Sequence, residues 1–140
     1  KGLLIMVVVV ATVVIRDDRG RTLLVNDNGV WAIPGGKVEK GERVIEAAER
    51  EIKEETGYLI DINGLARVYE LKKGEDYHLF FVFKAKIVKR LTEGTREYKW
   101  FKVDEIGHLN AYPETYLLLK ELEKKIPKCV EYPLNIHFYF

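Results

Sequence analysis

A single cysteine, Cys129, rules out a disulfide within the chain and, with no second thiol, any zinc knuckle. Histidine is scarce as well. His78, His108 and His137 show no metal-ligand spacing, which argues against zinc hydrolases and against a di-iron helical bundle. Excess charge is missing too: 23 basic and 22 acidic side chains leave a net charge of +1. No overall field therefore recruits nucleic acid or an acidic membrane. The longest hydrophobic run, Leu3 to Ile15 (LLIMVVVVATVVI), has thirteen residues, whereas a helical membrane span needs about twenty. No small-residue cleavage pattern follows it, so a signal peptide is not expected either. There is no Gly-x4-Gly-Lys-Ser/Thr loop, which excludes P-loop nucleotide hydrolysis. With no export or anchoring signal, the expected location is cytoplasmic.

What is present suits one globular domain. The 140 residues are 47% hydrophobic, enough for a core that needs no staples. The chain is expected to organise around Gly36 to Tyr58, GKVEKGERVIEAAEREIKEETGY. Glu42 to Thr56 has helix-forming composition, and Gly57 is its stop. Val44, Ala48 and Ile52, with Ile45 beside them, give one apolar face. Glu51, Glu54 and Glu55 stand three and four apart and share a neighbouring face. Ala47, one turn earlier, leaves room above them. Three like charges so close repel unless something cationic sits between them, and an all-carboxylate set suits a hard ion such as Mg²⁺, with Mn²⁺ as substitute. A Glu-x-x-Glu-Glu face taken alone is commonly just solvated. Here it lies in register with Arg50 and with the loop Trp31-Ala32-Ile33-Pro34-Gly35-Gly36-Lys37, whose proline and glycines suit close approach to a ligand.

Elsewhere the patterning is mostly β. Valine and isoleucine dominate Leu3 to Ile15, predicting a strand buried on both faces. Thr22 to Val25 predicts a second strand, turned by Asp27-Asn28-Gly29. Leu59 to Leu65 and Ala66 to Leu71 read as strands around a turn or bulge at Asn63-Gly64. Tyr77 to Val88 and Glu97 to Val103 follow as strands. A second amphipathic helix starts at Pro113 and ends before Pro127. The apolar extension 127–140 reads as an edge strand, a cover for the sheet, or a surface for a homodimer. Strands interrupted by two separated helices predict a mixed sheet flanked by helices.

The spacing Gly36-x5-Glu42-x7-Arg50-Glu51-Ile52-x-Glu54-Glu55-x-Gly57 resembles the signature box of the Nudix (MutT-like) hydrolases. Seven fixed residues would match by chance in roughly one chain per million of this length. Tyr58 departs from the box, where an aliphatic residue is commoner. The resemblance implies an α+β fold, an α/β/α sandwich built on a Nudix-type mixed sheet, as one domain over 1–140. It also implies Mg²⁺-dependent hydrolysis of a nucleoside diphosphate linked to another group, water attacking phosphorus. By resemblance Glu54 and Glu55 are the principal metal ligands, Glu51 contributes, and the Gly36 carbonyl joins them. One of these glutamates, Glu51 and Glu54 being the catalytic candidates beside Glu55, would serve the attacking water, Arg50 would orient the glutamates through Glu42 or Glu39, and Glu97 is a further catalytic candidate. Lys37 is the candidate for substrate phosphate. Absent proline just beyond the box, and absent coenzyme A- and NADH-type motifs, the reading leans to (deoxy)nucleoside triphosphates. The alternatives are ADP-ribose, nucleotide sugars, dinucleoside polyphosphates, or a silent nucleotide-binding module. The expected partner is a small nucleotide; a nucleic-acid substrate would ask for a basic channel.

Overall fold

A computed structural model of the chain describes residues 6–124, 129–132 and 136–139. In chain order the elements are β1 (Val7–Ile15), β2 (Thr22–Asp27), β3 (Val30–Ala32), β4 (Gly35–Lys37), α1 (Val44–Thr56), β5 (Tyr58–Lys73), β6 (Asp76–Arg90), β7 (Tyr98–Phe101), α2 (Val103–Ile106), α3 (Pro113–Glu121), β8 (Cys129–Tyr132) and β9 (Ile136–Tyr139). They form a six-stranded sheet in the order β4-β1-β6-β5-β9-β8 and a three-stranded sheet in the order β3-β2-β7. β1 runs parallel to β6, and every other pairing in the two sheets is antiparallel. This is the mixed α+β arrangement expected, with the strands divided between two sheets.

The strand alternation explains the layers. Ala11, Val13 and Ile15 of β1 face one core, with Leu23 and Val25 of β2 and Ala47, Ala48 and Ile52 of α1. Val14 and Leu24, on the opposite faces of the same strands, join a second core with Val103, Ile106, Leu118 and Leu119 of α2 and α3. Ile15, Leu23, Leu24, Ile52, Leu118 and Leu119 are fully buried, each contributing on the order of 1.5–3 kcal/mol of transfer free energy. Both faces of β1 are covered, and this accounts for its unbroken apolar run.

Several expectations shift in detail. α1 begins at Val44 rather than Glu42, with the Arg43 amide donating to Glu46 Oε1 at 2.9 Å. Ile45 is exposed and lies off the buried face. The two strands expected around Asn63-Gly64 are one, β5, which stays paired with β6 through register shifts at Leu59/Ile60, Ile62/Gly64 and Leu65/Arg67. The extra residues bend the strand without ending it. α3 closes at Glu121; the expected continuation through 125–126 lies outside the described residues. In the extension, β9 pairs with β5 and β8 lies outside it, at the sheet edge.

Gly57 ends α1 as its sequence position predicts. Its φ is 80°, and its amide donates to Lys53 O at 2.9 Å. A Cβ here would lie 1.9 Å from the Thr92 carbonyl oxygen. Gly57→Ala therefore combines a left-handed backbone penalty with a backbone clash, and should destabilise the fold by about 2–4 kcal/mol. Urea unfolding measures this; a midpoint equal to wild type would contradict it.

Candidate active site

The box builds its site from three neighbouring pieces. β4 pairs with β1 through Gly36↔Ala11 and Lys37↔Val10, fixing the glycine loop against the central sheet. α1 lies over it, and the Gly36 position is so close that a Cβ would sit 2.4 Å from Glu51 Cδ. A Cβ there would displace the Glu51 carboxylate from where Arg50 holds it. The third piece is the segment between β6 and β7. Thr95 and Arg96 donate their amides to the carbonyls of Glu54 (2.9 Å) and Glu55 (3.1 Å), satisfying orphan acceptors of the last helical turn.

Arg50 ties the loop to the helix. Its Nε and Nη2 grip Glu42 at 2.6 and 3.0 Å, and Nη1 reaches Glu51 at 2.8 Å and Glu54 at 3.3 Å. Nη2 also donates to the Lys37 carbonyl at 3.1 Å, while Glu39 lies farther off at 3.7 Å. The guanidinium bonds hold the Glu42 carboxyl at a pKa of about 2, and Glu42 in turn raises that of Arg50.

Glu55 occupies a different environment. It is 7% exposed, accepts the Gly35 amide at 3.0 Å and pairs with Arg96 at 3.3 Å. Burial pushes its pKa up to about 7; the Gly35 bond and Arg96 oppose the rise, and the Glu51 charge adds to it. Arg96 also meets Asp27 at 2.7 Å, and Asp27 accepts the Tyr112 hydroxyl at 3.0 Å. The Arg96 bond holds the Asp27 carboxyl below its ordinary value, and Asp27 raises the pKa of both Arg96 and Tyr112.

The three box carboxylates do not meet at one point, as the sequence had suggested. Arg50 is the cation beside Glu51 and Glu54, and Arg96 is the cation beside Glu55. Among the described residues no three carboxylate, histidine or cysteine side chains stand in ligating array. The donor chemistry nevertheless fits a hard divalent ion: oxygen ligands only, on adjacent turns, with the Glu51 carboxylate lying against the Gly36 backbone. Glu54, 54% exposed, keeps its second flank to solvent while Arg50 holds it at 3.3 Å.

Glu55, Gly35, Asp27 and Arg96 border a cavity of about 240 Å³. Its other lining includes Thr12, Tyr69, Phe80 and, from the start of α3, Glu114 and Thr115. Tyr69 and Phe80 stack on each other at 4.5 Å with planes 3° apart. Of the other predicted residues, Glu97 points to a separate groove, where it meets Asn26 at 3.1 Å and Lys99 at 4.0 Å. Lys37 is exposed on β4. Sequence reasoning missed Asp27, Arg96, Tyr112 and Glu114. None belongs to the box, and only the turn signal at Asp27 drew attention to any of them.

A NUDIX domain model matches residues 6–122. The chain belongs to the Nudix hydrolase family. It is 43% identical over 74 residues to a Bacillus subtilis (strain 168) protein described as a candidate 8-oxo-dGTP diphosphatase; the match covers 51% of this chain and 50% of that protein. It is 33% identical over 110 residues to the nucleoside triphosphatase NudI of Escherichia coli (strain K12), covering 67% of this chain and 78% of that one. A solved Nudix hydrolase from Nitrosomonas europaea superposes with a TM-score of 0.73 at 26% identity, covering 84% of this chain and 89% of that one. Among the described residues no helix is long and apolar enough to cross a membrane.

The raised pKa of Glu55 has a consequence for stability. A carboxyl whose folded pKa exceeds its unfolded value stabilises the fold below the unfolded value near 4.5, and that contribution is lost as pH rises through about 7. Glu55→Gln keeps a neutral side chain at every pH. In EDTA, it should gain on the order of 1–3 kcal/mol relative to wild type between pH 4.5 and pH 8. Chemical denaturation at the two pH values measures this; a pH-independent difference would contradict it.

Proposed function

We propose that this Nudix protein is a divalent-metal-dependent pyrophosphohydrolase of nucleoside triphosphates. The observation that carries the reading is the adjacency of the box helix to a cavity, with Glu55 belonging to both. Phosphates held beside α1 would leave the nucleoside facing Tyr69, Phe80 and Glu114. The names of the Bacillus and Escherichia relatives support a triphosphate over ADP-ribose, nucleotide sugars or dinucleoside polyphosphates.

Glu51, Glu54, Glu55 and the Gly36 carbonyl would hold Mg²⁺ or Mn²⁺, which when bound supplies an acidified water and neutralises phosphate charge. The chain's own residues do the rest. Arg50 anchors Glu51 against Gly36 and keeps the helix and loop at fixed separation. Glu54, more exposed than Glu51 on the same guanidinium, is open to an incoming phosphate and to the attacking water. Arg96, held by Asp27 at the cavity wall, presents a cation where anionic oxygens would enter. The Glu114 carboxylate can accept N–H donors from the edge of a base, and the stacked Tyr69–Phe80 pair gives the cavity an apolar wall. Lys37 and Glu97 lie outside this cavity.

A panel of nucleoside triphosphates, ADP-ribose, nucleotide sugars and dinucleoside polyphosphates, incubated with Mg²⁺ and scored by product, tests the reading. Nucleoside monophosphate and pyrophosphate are expected from the triphosphates. Nucleotide affinity without any released product would instead mark a silent binding module. Glu54→Gln should lower kcat by several orders of magnitude, roughly 10³-fold or more, with an unchanged unfolding midpoint. Near-wild-type turnover in this variant would remove Glu54 from the catalytic assignment.

A further inference from the structure

α3 separates two cavities. The first takes Tyr112, Glu114 and Thr115 from its start; a second, of about 530 Å³, takes Leu122 from just beyond its end. Val10 and Thr12 line the first, Val14 and Arg16 the second, so strand alternation places both on one face of the six-stranded sheet. The second cavity owes nothing to the Nudix box.

Its lining is basic. Arg16 follows β1, Lys84 and Lys86 stand on β6, and Arg67 stands on β5, which are three adjacent strands. The register brings them together: Ile15 pairs with Ala85, and Gly64 pairs with Lys84. Among the described residues Arg16, Lys84 and Lys86 have no ion-pair partner. Arg21, Arg50 and Arg96, in contrast, each close on a carboxylate at 2.7 Å or less. Two acids lie near. Asp61 stands opposite Lys86 across the strands but does not line the cavity, and the buried Glu121 accepts from Arg67 through its carbonyl at 3.4 Å while its carboxylate offsets part of the burial cost of that guanidinium. Like charges crowded on one sheet face repel, and an anion between them removes that cost.

The shape and chemistry of the groove select among anions. Among the described residues no aromatic side chain lines it, so these offer no stacking platform for nucleic-acid bases. Lys84 and Lys86 are two residues apart on one strand, about 6.6 Å, and neighbouring strands are about 4.8 Å apart. Cations at that spacing, on flexible stems, can converge on adjacent phosphate groups. We propose that this groove binds a compact oligophosphate anion, a pyrophosphate or triphosphate group, at a site distinct from the catalytic cavity.

Calorimetric titration of tripolyphosphate in EDTA and low salt tests it, because without divalent ions the acidic box offers that anion no bridge. Wild type and Glu54→Gln should bind alike. The double variant Lys84→Glu/Lys86→Glu should bind roughly tenfold or more weakly, and the milder Lys86→Gln should fall between. Both lysine variants should keep wild-type unfolding midpoints and wild-type turnover of whichever nucleotide the panel identifies. Binding in wild type should also weaken steeply between 50 and 200 mM salt (about an order of magnitude or more). The proposal is overturned if wild type does not bind or if the lysine variants bind as wild type does. It is also overturned if only Glu54→Gln loses affinity, or if a single-stranded oligonucleotide without terminal phosphates binds more tightly through the same lysines. An inactive nucleotide panel would defeat the hydrolase reading without touching this one.

Discussion

One guanidinium holds the catalytic end of the molecule together. Arg50 satisfies Glu42 with two bonds, Glu51 with one and the Lys37 carbonyl with another, so loop and helix share a single rigid donor. Such charge-assisted bonds are about twice as strong as neutral ones, and the planar fork loses little freedom in making several at once. A lysine, as a point charge on a flexible stem, could not reproduce the set. Around this hub the acidic stretch is tolerable even before a metal is considered. The crowding of Glu51 and Glu54 on α1 therefore does not by itself demand a divalent ion. What points to one is the combination of oxygen-only donors and the family to which the chain belongs.

The second constraint is the burial of strands on both faces. β1 and β2 each send alternate residues into two cores, one under α1 and one under α2 and α3. Where the second core gives out at the start of α3, Thr12, Tyr69 and Phe80 line a cavity, and Glu55 reaches it from α1. Glu55 is thus placed by the packing that the apolar sequence dictates, and the placement costs it solvation. Its carboxyl is kept near neutral pH in its protonation, although an amide and an arginine both favour the anion. A carboxyl perturbed by burial beside a cavity is a functional-site candidate with a stated physical cause.

The helix stop at Gly57, the buried β1 run and the box spacing were legible because each rests on local chemistry: a left-handed cap, a period, a pattern of fixed residues. The unbroken course of β5 was not. Asn63-Gly64 carries the composition of a turn, and only pairing along β6 shows that the chain bulges and continues. Arg96 and Asp27 were invisible for a related reason. They stand 41 and 28 residues from Glu55, and nothing in either neighbourhood announces the contact that folding makes. Even the face shared by Glu51, Glu54 and Glu55, read correctly from helical spacing, misled about where the carboxylates end up. Helical spacing fixes Cβ positions, whereas the arginines decide the rotamers.

Net charge was the least informative quantity of all. A value of +1 predicts no field, yet the two ends of α3 carry opposite local signs: mostly carboxylates at the first cavity, cations at the second. Nine residues of helix separate them, about 13 Å, while charges in physiological salt are screened over about 8 Å. Through solvent, then, the two ends are nearly independent. The acidic end can await a cation-bound phosphate while the basic end attracts a bare one, and neither must be weakened for the other to work. Local sign, set by strand register and helix placement, decides what each cavity can hold; the sum over the chain conceals it.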